Sequence, residues 1–348
     1  MTRISARTSR LRRLLQRARP AAAPDLIAIT EADRRYLTTL HDQSTPLPEG
    51  AERELRPDNP KLQRLRAAYA ANRSAAVGPA SRWTEGAVRL FLDLRYFRGE
   101  TLITWHYREL PRISALKYFV LMRYVRDRDA LGLLDRLHED GAFGCWTFSY
   151  PGHGKVSRDL LDSVNEISFL ERRLELSARP RLSVLDVGAG YGRFAHRLAG
   201  AYEQLEDVCC VDAIPEATFV CDYYLRFREC SPPARALALD EIDSALVPGG
   251  FDLAVNIHSF SECTHAAVEW WIGLLRRLEI PSLLIVPNEP TELLTLEPDG
   301  TRRDFAPLLQ RAGYRLECRE PVLDDPAVRS LLRVEDHFHL YRLERPHA

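Results

Sequence analysis

The segment Ser183-Val184-Leu185-Asp186-Val187-Gly188-Ala189-Gly190-Tyr191-Gly192-Arg193-Phe194 constrains this chain more tightly than any other. A short apolar run of strand character enters three glycines at alternate positions and leaves as helix-forming sequence. Glycine removes the Cβ atoms that would hold a ligand away from the main chain, and it accepts the positive φ values that a sharp strand-to-helix turn requires. Such a turn opens a βαβ unit in which the backbone itself is a binding surface for a nucleotide.

The spacing of the turn narrows the nucleotide. A dinucleotide fingerprint, G-x-G-x-x-G, places a small residue where Arg193 stands when counted from Gly188, so an NAD reading is weakened. A second acid, Asp212, ends the apolar strand Val208-Cys209-Cys210-Val211, twenty positions beyond Gly192. At the tip of that strand a carboxylate can accept charge-assisted hydrogen bonds from both hydroxyls of a ribose. NAD enzymes use the same device, so Asp212 alone does not choose between cofactors. The whole pattern Asp-x-Gly-x-Gly-x-Gly, with its second acid, resembles motif I of the class I S-adenosylmethionine methyltransferases. That resemblance implies S-adenosyl-L-methionine as cofactor, with Asp186, Gly188, Ala189, Gly190, Gly192, Asp212 and Ala213 around it.

From residue 183 short apolar strands alternate with helical stretches: strands at 183–187, 208–212, 235–239, 252–257 and 282–286, helices at 193–203, 215–228 and 265–278. This alternation predicts an α/β fold with a parallel, doubly wound sheet and right-handed crossovers. Two further strands, near 313–319 and 336–343, close the chain. The methyltransferase resemblance implies a Rossmann-like sheet of seven mostly parallel strands whose last strand enters antiparallel; periodicity alone gives only α/β. Ahead of the sheet, 25–45, 61–77, 83–97 and 112–140 carry apolar residues at helical spacing, interrupted by the prolines of 46–60. The expected organisation is a basic tail over 1–24, a helical accessory or cap region over 25–140, and a catalytic domain over 141–348. The glycine-rich stretch 141–158 precedes a helix over 159–176 that Ser157 or Asp159 can cap; Trp146, Phe148, Tyr150, His153 and Arg158 in that stretch would offer stacking faces and donors near the cofactor turn.

Composition excludes more than it selects. A net charge of -1 over 348 residues gives no global pull toward nucleic acid or an anionic surface, and 45% hydrophobic residues supply a soluble core. The seven arginines of residues 1–20 are a local exception, read first as a disordered basic tail, with a helix against an anionic surface or partner and an organelle-targeting leader as the alternatives. Seven cysteines without a C-x-x-C pair argue against a disulfide framework, and no apolar run suits a membrane span or signal core. A cytoplasmic protein is expected, with self-association into a homo-oligomer open to it.

Ligands of such sheets bind beyond the carboxyl ends of the strands. Strand three leads into Leu239-Asp240-Glu241, where an acid can accept from the adenine amino group. Strand four leads into Asn256-Ile257-His258-Ser259-Phe260-Ser261-Glu262, where Asn256 is expected to join the cofactor-binding residues, and strand five into Asn288-Glu289. Methyl transfer to a hydroxyl needs alignment and removal of one proton, and His258, neutral at cellular pH, is the first candidate base. Glu262 would orient its ring or replace it. The paired aspartates of a magnesium site are missing here, so no metal is expected. Asn256-Ile257-His258-Ser259 also departs from the Asn/Asp-Pro-Pro-Tyr/Phe pattern of amide and adenine methylation.

Asp162-Ser163-Val164-Asn165-Glu166-Ile167, Val211-Asp212-Ala213-Ile214-Pro215 and Asn256 to Glu262 together resemble the bacterial sugar O-methyltransferases over roughly 140–345. The resemblance implies a saccharide hydroxyl, in a polysaccharide or a glycosylated metabolite, as acceptor. A small-molecule methyltransferase acting on a phenol or amine, or a non-catalytic subunit that retains the cofactor pocket, are the alternatives.

Overall fold

The computed structural model describes residues 47–72, 74, 76, 83–98, 112–150 and 154–344. The basic tail, the helix read over 25–45 and His153 lie outside the described residues.

Seven strands form one sheet: β1 (Leu182–Val187), β2 (Leu205–Val211), β3 (Ala234–Leu237), β4 (Leu253–Ile257), β5 (Ser282–Val286), β6 (Tyr314–Pro321) and β7 (His337–Leu343). Their order in space is β3-β2-β1-β4-β5-β7-β6. Strands β1 to β5 pair parallel, and β7 runs antiparallel to both β5 and β6. This is the sheet expected of the class I methyltransferase type. Its order reverses between β1 and β4, which leaves a crevice beyond their carboxyl ends.

Successive residues of a strand face opposite sides, so a sheet covered on both faces reads as continuously apolar. Accordingly Val184, Val208 and Val255 enter one core while Leu185, Cys209 and Ala254 enter the other. Helices α4 (Arg158–Leu174) and α5 (Arg193–Ala201) pack on the first face; α6 (Pro215–Phe227) and α7 (His265–Arg277) mainly cover the second. The residues ahead of the sheet join these same cores. Helix α1 (Pro60–Ala71), capped by Asn59 with Pro60 in its first turn, buries Leu62, Leu65 and Tyr69 beside Leu185 and Val187. Helix α3 (Arg112–Arg128) buries Tyr118, Val120, Leu121 and Val125 in the other core.

Several boundaries differ from those expected. The helix read over 112–140 stops at Arg128, because the Asp129 carboxylate accepts from Leu133 and Leu134 N–H and Gly132 turns the chain at φ 65° before a single turn at Leu133–Arg136. The helix read over 83–97 is the shorter α2 (Glu85–Phe91). Strand β3 ends at Leu237, and Leu239–Glu241 is one turn of 3-10 helix. The stretch 141–158 is corrected most. Phe148–Ser149 and Lys155–Val156 pair as a small hairpin, and Trp146, Phe148 and Tyr150 are buried. Phe148 packs on Tyr118 at 4.9 Å and Tyr150 on Phe119 at 5.2 Å, so these two rings cover α3 and offer no stacking face to a cofactor. Ser157, not Asp159, caps α4, accepting from Leu160 N–H at 3.0 Å.

Among the described residues no helix is long and apolar enough to cross a membrane.

Candidate functional site

The three glycines of the turn all have positive φ, yet each is needed for a different reason. A Cβ on Gly188 would lie 2.1 Å from Ser259 Oγ, and one on Gly192 would lie 2.9 Å from Cys221 Sγ. Those two let β4's end and α6 close against the turn. Among the described residues a Cβ on Gly190 would meet nothing within 4 Å, and Gly190 lines the cavity at the crevice. It is the position at which a ligand can touch bare backbone.

Asp212 is held across the turn. Its Oδ2 accepts from Gly190 N–H at 3.0 Å and its Oδ1 from Ile214 N–H at 2.9 Å. A carboxylate has about four acceptor positions, so each oxygen keeps capacity for a ligand hydroxyl. Burial pushes the acid up to about 6, and the backbone N–H groups of Gly190 and Ile214 hold it from rising further. Beyond it Ala213, Ile214, Ala217 and Val220 form an apolar wall of the cavity. Further lining comes from Ile257, Cys263 and Trp271, and from Ala76, Trp83, Leu92 and Phe97 of the chain ahead of the sheet.

His258 and Glu262 both line the cavity. His258 leaves β4 with its N–H donated to Val286 O at 2.7 Å and with φ 68°, a left-handed conformation that costs a non-glycine residue about 1–3 kcal/mol. Its Nδ1 is screened from solvent and has no hydrogen-bond partner among the described residues. Burial first, and the Arg193 guanidinium second, lower the imidazole to about 4, so it is neutral throughout the physiological range. Glu262 Oε2 accepts from Trp83 Nε1 at 2.6 Å. Asn256 is a brace: its Nδ2 donates to Val187 O at 2.9 Å and its Oδ1 accepts from Phe260 N–H at 3.1 Å, tying β4's exit to β1. Asp186 is buried, and that burial, opposed by Arg193, raises it to about 7. Arg193 itself grips Glu166 through two parallel bonds of 2.7 and 2.9 Å. Asp240 and Glu241 are exposed and do not line the cavity, so the structure does not bring them to the other site residues.

Sequence reading missed the support behind the turn. Tyr191 OH donates to Asp159, which also accepts from Arg98 Nη2 at 2.9 Å. Arg98 Nη2 and Arg197 Nη2 both donate to Glu139 Oε2, at 2.8 and 2.6 Å, and Ser157 Oγ donates to the same oxygen at 2.6 Å. Both guanidiniums are solvent-inaccessible. Burial would raise Glu139, but Arg98 and Arg197 hold it well below the usual carboxylate range. Glu139, Asp159 and Cys145 come within 4.8 Å of one another, but the two guanidiniums already neutralise the acids. The one legible signal was Arg197, a charge on the apolar stripe Phe194, Ala195, Leu198, Ala201 of α5.

No family model and no curated protein matches the sequence. Many solved structures share the architecture. They include a SAM-dependent methyltransferase from Aquifex aeolicus, 19% identical, with a TM-score of 0.37, covering 49% of this chain and 87% of that one. The 1,6-didemethyltoxoflavin-N1-methyltransferase of Burkholderia thailandensis, whose structure holds its substrate and S-adenosylhomocysteine, is 17% identical with a TM-score of 0.38, covering 53% of this chain and 79% of that one. The cyclase SpnF is 15% identical with a TM-score of 0.40, covering 55% of this chain and 84% of that one. At such scores these likenesses carry no argument about chemistry.

Proposed function

We propose that the chain is an S-adenosylmethionine-dependent methyltransferase that acts on a hydroxyl, with a sugar or glycosylated metabolite as acceptor. The observation that carries the cofactor is the open cradle at Gly190, spanned by Asp212 and walled by Ile214, Ala217 and Val220. A purine and ribose need this combination of bare backbone, a hydroxyl-accepting acid and apolar faces. Bound there, S-adenosylmethionine supplies an electrophilic methyl group on sulfur.

The chain's own contribution is placement and proton removal. His258, neutral and facing the cavity, accepts the acceptor's proton on its unprotonated ring nitrogen. An imidazole lowered to about 4 is a weak base. An oxygen that has begun to form its third bond is far more acidic than a free hydroxyl, so a weak base suffices late in the step. The rings of Trp83, Phe97 and Trp271 around the cavity favour a phenol as the second reading.

Calorimetric titration with S-adenosylhomocysteine, with NAD as control, tests the cofactor: micromolar binding of the first alone supports the proposal, and silence toward both removes it. With an acceptor in hand, His258→Ala should lower kcat by about 10²–10⁴-fold while the S-adenosylhomocysteine Kd changes little; an unchanged kcat removes His258 from the chemistry.

A further inference from the structure

Tyr69, from the helical region ahead of the sheet, reaches a place where the end of β2 and the start of α6, both beside the cavity, meet the turn after β3. Its hydroxyl lies 3.2 Å from the backbone oxygen of Asp212 and 2.8 Å from Thr218 Oγ1, and it accepts from Leu239 N–H at 3.0 Å. These partners belong to the end of β2, the first turns of α6 and the turn after β3. A phenol has one proton and two lone pairs. Tyr69 therefore donates to the Asp212 carbonyl and accepts from Thr218 and Leu239, which uses its full capacity. The residue is 2% exposed, and burial pushes the phenol's pKa up to about 12, so the donor proton stays in place at every working pH. A second tie from the same helix, Arg66 Nε to Glu216 Oε1 at 2.8 Å, holds α1 against the start of α6.

We propose that Tyr69 is a positioning residue for the nucleoside end of the cofactor, setting the spacing between the β2 tip that carries Asp212 and the turn after β3. The inference rests on the cofactor reading above. It makes the region ahead of the sheet part of the binding site: without the hydroxyl, the Asp212 carbonyl and the Leu239 N–H lose their shared partner, and the carboxylate that meets the ribose is no longer fixed along its own backbone.

The test is titration of S-adenosylhomocysteine, and of methylthioadenosine as the nucleoside part alone, into the full chain and two single variants. Tyr69→Phe removes this hydroxyl. Tyr314→Phe removes an equally buried hydroxyl at the other edge of the sheet, where Tyr314 OH donates to Ile280 O at 2.9 Å. Expected are Kd values for both ligands raised about tenfold in Tyr69→Phe and altered less than twofold in Tyr314→Phe, with melting temperatures lowered similarly. Equal losses in the two variants, or a Tyr69→Phe Kd within twofold of the parent, overturn the positioning role while leaving the cofactor reading intact. No binding by the parent chain overturns the cofactor reading itself. Should Tyr69→Phe not fold, Thr218→Val removes one donor to the same oxygen and should weaken both ligands about threefold, and an unchanged Kd there overturns the proposal equally.

Discussion

The glycine turn has two sides, and they are built on opposite principles. Its front is open: a Cβ on Gly190 would touch none of the described residues, and Asp212 keeps acceptor capacity in reserve. Its back is closed: Tyr191 hangs on Asp159, inside a cluster where Arg98, Arg197 and Glu139 are wholly withdrawn from water. Buried charges are costly unless each is paired, and here two cations face two acids and a serine hydroxyl. The contrast shows how a backbone cradle is made rigid. Glycines give a ligand access but also give the chain freedom, and the charged cluster removes that freedom from behind.

Substitutions on the two sides should therefore fail in different ways. The largest effect is expected at the back: Arg98→Leu leaves Arg197 as the one described cation facing the two buried acids Glu139 and Asp159, and should cost about 3–5 kcal/mol of stability in urea unfolding. A loss below about 1 kcal/mol would mean that the cluster relaxes and does not brace the turn. At the front, Asp212→Ala should weaken S-adenosylhomocysteine by about 1.5–3 kcal/mol in calorimetry through loss of hydrogen bonds to a charged group. An unchanged Kd would place the ribose elsewhere. The smallest effect is that of pH on the same acid. Its folded-state value of about 6 lies above the ordinary carboxylate range, so it protonates early as pH falls. Between pH 7 and 5.5 the ionised fraction drops about fourfold, and affinity should drop with it. Stability should move the other way: a raised folded-state value contributes stability that is full below the ordinary carboxylate range and is lost as pH rises through about 6. Affinity that is flat across this interval would separate Asp212 from the ligand.

Much of this was legible from local pattern. Strands buried on both faces announce themselves as apolar runs, and β1, β4 and β5 fall within a residue of the expected bounds because no long-range contact is needed to see them. The turn was legible as a unit, though its glycines were all read as ligand-facing; only contacts with Ser259 and Cys221, distant in sequence, reveal that two of them serve packing. Asp240 read as a site acid because it follows a strand, but β3 ends early and the 3-10 turn carries it to the surface. The aromatics of 141–158 resemble a binding loop in composition, and nothing local says that α3 will cover two of them. Tyr69, Trp83 and Trp271 were missed because an aromatic at helical spacing looks like core, and Tyr69 is core as well as site.

The way α1 enters the sheet's own core has a consequence for synthesis. Tyr69 and Asp212 are 143 residues apart in sequence, and Arg66 and Glu216 are 150 apart. On a ribosome adding about 5–20 residues each second, α1 waits about 7–30 seconds with Leu62, Leu65 and Tyr69 uncovered before β2 and α6 exist to receive them. Closing loops of that length is slow as well as late. The helix that packs behind Asp212 is thus made early and buried late, which leaves its apolar face open to aggregation and to chaperone capture in the nascent chain.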